Sequence, residues 1–218
     1  YAGDPITNLT QWTEVPLSGG EARPFLADVA VERLFWDPST GHLLGYLPQH
    51  TPTEPMFFNP QLQERARLVA RSFANRNARI TGWSTNLDRV VVHTSGNGDS
   101  GTWYLVDLAQ RSAQEIGFDR PTIGTDQIGP VSTVSYLAGD GLELNGILTL
   151  PPGREAARLP VVILPHGGPH AHDVESFDWW AQAFASRGYA VFQPNFRGST
   201  GRGEEFVRLG YGEWGRKM

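Results

Sequence analysis

Cysteine is absent from the 218 residues of this chain, so neither a disulfide framework nor a thiolate metal site is available. The sequence also lacks any run of about 18 apolar residues, which a membrane-spanning helix would need, and any cluster of basic residues. The net charge is −5 and the isoelectric point is near 5.7. These features argue against a nucleic-acid partner and against a membrane partner.

The first residues, Tyr-Ala-Gly-Asp-Pro, lack the basic and apolar regions that a secretory signal peptide would have. The absence of cysteine fits a reducing compartment. We therefore expect a cytoplasmic location. If a signal segment were encoded upstream, the periplasm or the cell exterior would be expected instead.

The first half of the chain is predicted to be rich in β-strands. Four short apolar segments recur at a spacing of about a dozen residues and are bounded by turn residues, which is typical of one β-propeller blade. They cover residues 78–83, 89–94, 102–107 and 113–116. Upstream, residues 32–36 and 43–47 predict a hairpin, and residues 60–74 predict a helix with one apolar stripe. A β-sandwich fragment is the alternative, since no strict repeat is visible.

The second half begins after a junction at residues 118–130, which is rich in glycine, proline, aspartate and threonine. Residues 134–137 and 144–150 predict a hairpin, because the Asp140-Gly141 pair between them is a strong turn signal. A hairpin of this kind is how the sheet of an α/β-hydrolase usually begins.

Residues 160–199 combine a strand, a glycine-rich turn, a helix and a second strand. Residues 161–164 are a short β-branched run that predicts a buried strand, and residues 189–193 predict another. This order predicts a parallel βαβ crossover. The helix between the strands has an apolar face formed by Phe177, Trp180, Ala181 and Phe184.

The turn after the first of these strands, which we call the glycine turn, reads His166-Gly167-Gly168-Pro169. α/β-Hydrolases place half of their oxyanion hole in a His-Gly-Gly turn between a strand and a helix. Glycine suits this role because it keeps side chains away from backbone N–H groups that must reach a developing oxyanion. The alternative is an ordinary tight turn in some other α/β protein.

Four segments of the second half together resemble the prolyl oligopeptidase family of serine peptidases, in its branch of dipeptidyl and acylaminoacyl peptidases. They are residues 166–171, 187–191, 195–201 and 213–218. The resemblance implies a β-propeller followed by an α/β-hydrolase domain, which cleaves short peptides with a Ser-Asp-His triad and needs no metal or cofactor. On this basis residues 1–118 are predicted to be a partial propeller with its C-terminal blades. Residues 119–218 are predicted to be the N-terminal part of the catalytic domain.

One departure from the family pattern concerns the nucleophile, which in that family lies in a Gly-x-Ser-x-Gly motif. This chain has no such motif, since the two glycines of Gly198-Ser199-Thr200-Gly201 are one residue too close to each other. We therefore expect a piece of an enzyme that is inactive alone and has the remaining polypeptide of that enzyme as a partner. Unpaired strand edges in such a piece also predict self-association.

The resemblance assigns roles to a few residues of the glycine turn. The backbones of Gly167 and Gly168 would donate to the oxyanion, while His166 would support the turn rather than transfer protons. Together with His166, the nearby His170 and His172 form a cluster that could also hold a metal. That alternative is less favoured, because no acidic residue has ligand spacing and no cysteine helps.

Large side chains near the motif carry further predictions. Arg197 follows the second strand, at the edge where such sheets bind ligands, so it would contact substrate or bond backbone carbonyls. Trp179 and Trp180 are adjacent and point apart on a helix. We expect Trp180 in the core and Trp179 at a domain interface.

These residues predict a serine-type peptidase that hydrolyses short peptides through an acyl-serine intermediate. Exopeptidase and endopeptidase activity both stay open at this point. Two alternatives are an esterase of the α/β-hydrolase class and a non-catalytic propeller that serves as a binding module, in which the glycine turn would be only structural.

Overall fold

The computed structural model describes residues 2–3, 10–27, 29, 31–48, 54–74 and 76–218. The strands in these ranges form four separate sheets, and none of the four closes on itself. No helix in the same ranges is long and apolar enough to span a membrane.

The first two sheets have three antiparallel strands each. The first consists of β1 (Ala2–Gly3), β2 (Thr10–Glu14) and β3 (Arg23–Phe25), and the second of β4 (Val31–Trp36), β5 (Leu43–Pro48) and β6 (Met56–Phe57).

Helix α1 (Pro60–Ser72) confirms the predicted helix to within two residues at its end. The Asn59 side chain caps its N-terminus by accepting two backbone hydrogen bonds, and proline stands in the first turn, where no backbone donor is needed. Ala66 and Val69 of the helix are buried. They join a core with side chains from β4 to β6 and from the next sheet, among them Phe35, Leu47, Phe57, Ile80, Val90, Val92 and Val106.

The third sheet contains the four strands that the sequence predicted, and each is longer than predicted. In spatial order it consists of β10 (Ser112–Phe118), β9 (Asp99–Asp107), β8 (Arg89–Gly96) and β7 (Asn77–Trp83). Gly98 adopts φ +82° in the tight turn between β8 and β9, and Gly96 adopts φ +99° where the register of the β8–β9 pair shifts. Four antiparallel strands match the strand number of one propeller blade.

The fourth sheet is mixed and holds the motif segment. Its order is β11 (Val131–Leu137), β12 (Glu143–Thr149), β14 (Ala190–Asn195) and β13 (Val161–Ile163). The β11–β12 hairpin confirms the turn predicted at Gly141, whose φ is +82°. Strands β13 and β14 pair in parallel, with helix α2 (Trp179–Ala185) between them in the chain, and α3 (Glu204–Arg208) follows β14.

A strand was predicted at residues 161–164 and is found at Val161–Ile163, but the prediction that this strand is buried is wrong. Val161 and Ile163 are 59% and 60% exposed. Strand β13 is the edge strand of its sheet, so among the described residues no further strand pairs with it. The apolar, β-branched pattern correctly indicated a strand, but no described element covers the side chains of Val161 and Ile163.

The prediction that Trp180 lies in the core is also wrong, because its side chain is 50% exposed. Helix α2 begins at Trp179, after the Asp178 cap, and it buries Ala181 and Ala185 instead. Two small residues at an i, i+4 spacing let the helix approach the sheet closely. The larger aromatic side chains are thereby left on the outward faces of the helix.

The third and fourth sheets are joined through the loop that precedes α2. The Ser95 hydroxyl accepts a hydrogen bond from Phe177 N–H at 2.8 Å, and the Asn77 side-chain amide donates to the Glu175 carbonyl. The guanidinium of Arg120 lies 4.6 Å from the centre of the Phe177 ring. The loop that leads from the glycine turn to α2 is therefore held partly by the third sheet.

Candidate functional site

The glycine turn lies at the carboxyl end of the parallel strand pair. Strand β13 ends at Ile163, three residues before the turn, and its neighbour β14 ends at Asn195. Residues 195–200 comprise the last residue of β14 and the five residues after it; they run beside residues 166–173 and are called here the bracing segment. Loops after the carboxyl ends of neighbouring parallel strands form the usual ligand sites of α/β sheets.

His166 connects the glycine turn to the bracing segment. Its Nε2 lies 2.8 Å from Ser199 Oγ, and its Nδ1 lies 2.9 Å from the carbonyl oxygen of Gly167. The imidazole also stacks on the Phe196 ring, with 4.3 Å between ring centres and 19° between planes. Both ring nitrogens and one ring face are therefore occupied, which fixes the orientation of His166.

Two further contacts join Thr200 to residues 166–173, which we call the loop. The Thr200 N–H donates to the carbonyl of Ala171 at 3.0 Å, and the Thr200 hydroxyl lies 2.8 Å from His172 Nδ1. At the far end of the loop, Asn195 contacts the backbone of Asp173. The loop is thus fastened to the bracing segment at His166 and again at residues 171–173.

Backbone donors of the glycine turn are unoccupied. Within the described part of the chain, the N–H groups of Gly167 and Gly168 meet no acceptor, and both residues are exposed. Gly168 adopts φ +129°, and a Cβ placed on it would lie 2.9 Å from the backbone nitrogen of His170. This position therefore requires glycine, and the turn offers free donors to an anionic or carbonyl oxygen.

An apolar groove of about 620 Å³ lies beside these donors. The side chains that line it are mostly aromatic or proline, and Trp214 is 69% exposed at its rim. Its lining comprises Pro165, His166, Gly168, Pro169, Pro194, Phe196, Trp214, Gly215 and Met218. An apolar cleft with a few convergent polar groups is the usual form of a small-ligand site.

Two titratable side chains of the loop have pKa values that burial shifts away from their usual values. Burial lowers the pKa of His172 below its usual value, and the negative charge of Glu32 opposes this shift in part. Burial raises the pKa of Asp173, and its Oδ2 atom is buried without a hydrogen-bond partner among the described residues.

Arg197 lies away from the free donors. Its guanidinium donates to Asp140 Oδ2 at 2.5 Å and to the Lys217 carbonyl at 3.3 Å, and the side chain is 9% exposed. These contacts favour the structural role that the sequence left open beside substrate contact.

The three histidines of the predicted cluster each contact a different residue. His166 and His172 bond different hydroxyls, while His170 is exposed with its ring centre 6.0 Å from that of Tyr211. In the described ranges, no group of three or more histidine, cysteine, aspartate or glutamate side chains could hold a metal ion.

Sequence reasoning did not assign positions to Asn195, Ser199 and Thr200 at the site. The sequence did indicate that the polar segment at the end of β14 stands at the same sheet edge as the glycine turn. It could not indicate which residues of that segment contact the loop, since the contacts join residues 22 to 33 positions apart.

Comparisons with known proteins found a matching family and similar proteins. Residues 175–218 match the prolyl oligopeptidase family. Dipeptidyl aminopeptidase BIII of Pseudoxanthomonas mexicana is 37% identical over 192 residues, covering 84% of this chain and 27% of that protein. Dipeptidyl peptidase family member 6 of Caenorhabditis elegans is 25% identical over 202 residues, covering 83% of this chain and 27% of that protein.

A solved structure extends the likeness to the fold. An acylaminoacyl peptidase of Pyrococcus horikoshii superposes with a TM-score of 0.59 at 19% identity, covering 90% of this chain and 30% of that chain. This chain therefore shares the fold of a part of that structure, and it spans about a quarter of the length of the two relatives. The resemblance to the prolyl oligopeptidase family that the motifs predicted is confirmed.

Proposed function

We propose that the glycine turn supplies one half of the oxyanion hole of a serine peptidase that hydrolyses short peptides. The observation that carries the proposal is the pair of free N–H groups on Gly167 and Gly168, at the carboxyl end of a parallel strand pair. The relatives of this chain are named as peptidases, which supports a hydrolase that acts on peptide bonds.

The chemistry follows from what such donors stabilise. When a serine attacks a peptide carbonyl, negative charge develops on the carbonyl oxygen, and positioned N–H groups stabilise it. The second donor would come from the residue after the nucleophile, and a histidine would move the proton from serine to the leaving amine. Neither of these groups is assigned to a residue of this chain, because the chain has no Gly-x-Ser-x-Gly motif.

The remaining parts of the chain fit an enzyme that admits small substrates. Residues 119–218 would be the N-terminal part of an α/β-hydrolase domain, and residues 1–118 would be the C-terminal blades of a propeller. The four-stranded sheet β7–β10 supports this division, since it has the strand number of a blade and contacts the loop before α2. A propeller in front of the site would restrict entry to short peptides, which would be the substrates of the enzyme.

The test uses the extended polypeptide, by which we mean this chain together with any sequence that its gene encodes on either side. It is assayed with dipeptidyl and acylaminoacyl anilides and with a matched ester, and it is labelled with a fluorophosphonate. We expect anilide turnover and one labelled serine in a Gly-x-Ser-x-Gly motif outside residues 1–218. Ester turnover alone would indicate the esterase, and peptide binding without turnover or label would indicate a binding module.

A further inference from the structure

Asn195 makes a set of contacts that the proposed oxyanion chemistry does not by itself require. It is the last residue of β14 and is 6% exposed. Its Oδ1 accepts a hydrogen bond from Asp173 N–H at 2.8 Å, and its Nδ2 donates to the Asp173 carbonyl at 3.0 Å. The same Nδ2 donates to Asn145 Oδ1 at 3.0 Å.

An amide that bonds both the N–H and the C=O of one residue acts on that residue as a neighbouring strand would. It fixes the position of Asp173 and the orientation of its peptide groups at the same time. No shorter or aliphatic side chain can replace it, since both backbone groups of Asp173 would then lose their hydrogen-bond partner.

The Asn195–Asp173 contact fixes the far end of the loop that contains the glycine turn. His166 at the start of the loop is held through Ser199, and Asp173 at its end is held through Asn195. Both partners belong to the bracing segment, which is continuous with strand β14. The free donors of Gly167 and Gly168 lie between these two ends, and Thr200 holds Ala171 and His172 on the way to Asp173.

We propose that Asn195 is a positioning residue, which holds the Gly167 and Gly168 donors where the oxyanion develops. This inference rests on the proposed function. Displacing catalytic groups by about 1 Å can cost a hundredfold in rate. Loosening Asp173 would leave the far end of the loop held only by the Thr200 contacts, without changing any group that touches the substrate.

The experiment compares three variants of the extended polypeptide, Asn195→Leu, Asn195→Asp and Asn145→Ala. The last is the matched control, because it removes the third hydrogen bond and leaves both bonds to Asp173. Each protein is measured for kcat and KM on an anilide and for thermal unfolding. Each is also measured for the affinity of a peptide boronate, which forms a tetrahedral adduct, and of the product peptide, which does not.

For Asn195→Leu we expect kcat to fall about a hundredfold with KM nearly unchanged. Boronate affinity should fall by a similar factor, while product affinity and the Asn145→Ala control stay near the parent. A merely structural role would lower the unfolding temperature without separating the boronate from the product. Unchanged kcat and boronate affinity in a folded Asn195→Leu protein would overturn the inference and leave the proposed function standing.

Asn195→Asp provides a second readout that does not depend on the leucine variant folding. Its ionised carboxylate can accept from Asp173 N–H but cannot donate to the carbonyl, whereas the protonated carboxyl can do both. Its kcat relative to the parent should therefore rise as the pH falls through the pKa of the new carboxyl group. A constant ratio across pH would count against the inference. If the parent polypeptide itself turns over no anilide, the proposed function fails and the inference falls with it.

Discussion

The Nε2 atom of His166 lies 2.8 Å from the Oγ atom of Ser199, and Ser199 is completely buried. The distance is the one found between a catalytic serine and its base. A nucleophile must also be open to the substrate, which a serine with no exposed surface is not. The pair therefore braces the glycine turn against the segment after β14, and His166 uses its second nitrogen to hold the turn itself.

The first prediction follows from this brace. In the extended polypeptide, Ser199→Ala should lower the free energy of unfolding by about 1 kcal/mol, because His166 loses a buried hydrogen-bond partner. Fluorophosphonate labelling should persist, since the labelled serine lies elsewhere. Ser186→Ala, which removes an exposed hydroxyl at the end of α2, is the control for substitution alone. Loss of the label in a folded Ser199→Ala protein would make Ser199 the nucleophile.

The second prediction concerns Gly168. Alanine at this position would have to adopt φ +129° with its Cβ 2.9 Å from a backbone nitrogen, so the turn must shift. Displacing the oxyanion donors should lower kcat about a hundredfold or more. Gly153→Ala is a matched control, since Gly153 also has a positive φ, +62°, but lies in open space on a surface loop. Equal kcat values for the Gly168→Ala protein and the parent would remove Gly168 from the site.

The sequence predicted most strands of this fold because their signals are local. The Asp140-Gly141 turn fixed the β11–β12 hairpin, and alternating apolar residues marked β8, where Val90 and Val92 are fully buried. Burial on the second half was harder to predict. The exposure of Ile163 and Trp180 depends on which elements lie beside them, and the residues themselves contain no information about that.

The glycine turn was predicted because its chemistry is contiguous in sequence, whereas its supports are not. His166 meets a partner 33 positions later, and Asp173 meets one 22 positions later. Such contacts depend on β13 and β14 being adjacent and parallel, which places two distant loops at one edge. A prediction of the crossover indicates that the loops meet, but only the three-dimensional register shows that Asn195 reaches Asp173.

The third prediction is a pH dependence of stability. Burial raises the pKa of Asp173 above the unfolded value near 3.8, so the folded state binds more protons than the unfolded state above that pH. Asp173 therefore lowers stability progressively as the pH rises from about 4. Relative to the parent, Asp173→Asn should gain thermal stability between pH 4 and pH 7.

Asp37→Asn serves as the comparison for that experiment. Hydrogen bonds from Ser39 lower the pKa of Asp37, so its contribution changes only below the unfolded value and should stay flat between pH 4 and pH 7. If the Asp173→Asn protein shows the same flat difference from its parent, the carboxyl group of Asp173 is ionised without cost in the folded state.

The fourth prediction concerns the exposed edge of the fourth sheet. Val161 and Ile163 lie on the same face of edge strand β13, and an uncovered apolar edge recruits further strands. The 218-residue chain should therefore associate in solution. The double variant Val161→Lys, Ile163→Lys should reduce this association as measured by light scattering, because charged residues block edge pairing.

Leu137→Lys provides the control, since Leu137 is 70% exposed on β11, the strand at the opposite edge of the same sheet. It adds charge without touching β13 and should leave most of the association in place. A parent chain that is monodisperse and monomeric at micromolar concentration would show that the β13 edge is not a site of association.

The last prediction is that the 218-residue chain alone hydrolyses no peptide or ester at an enzymatic rate. Acyl transfer needs an activated nucleophile, a base and donors for the oxyanion. The chain supplies free donors at Gly167 and Gly168, but Ser199 is buried and both nitrogens of His166 are occupied. Assays with chromogenic anilides and esters should show turnover by the extended polypeptide only. Turnover by the chain that a fluorophosphonate blocks would contradict this prediction and reveal a nucleophile among its serines.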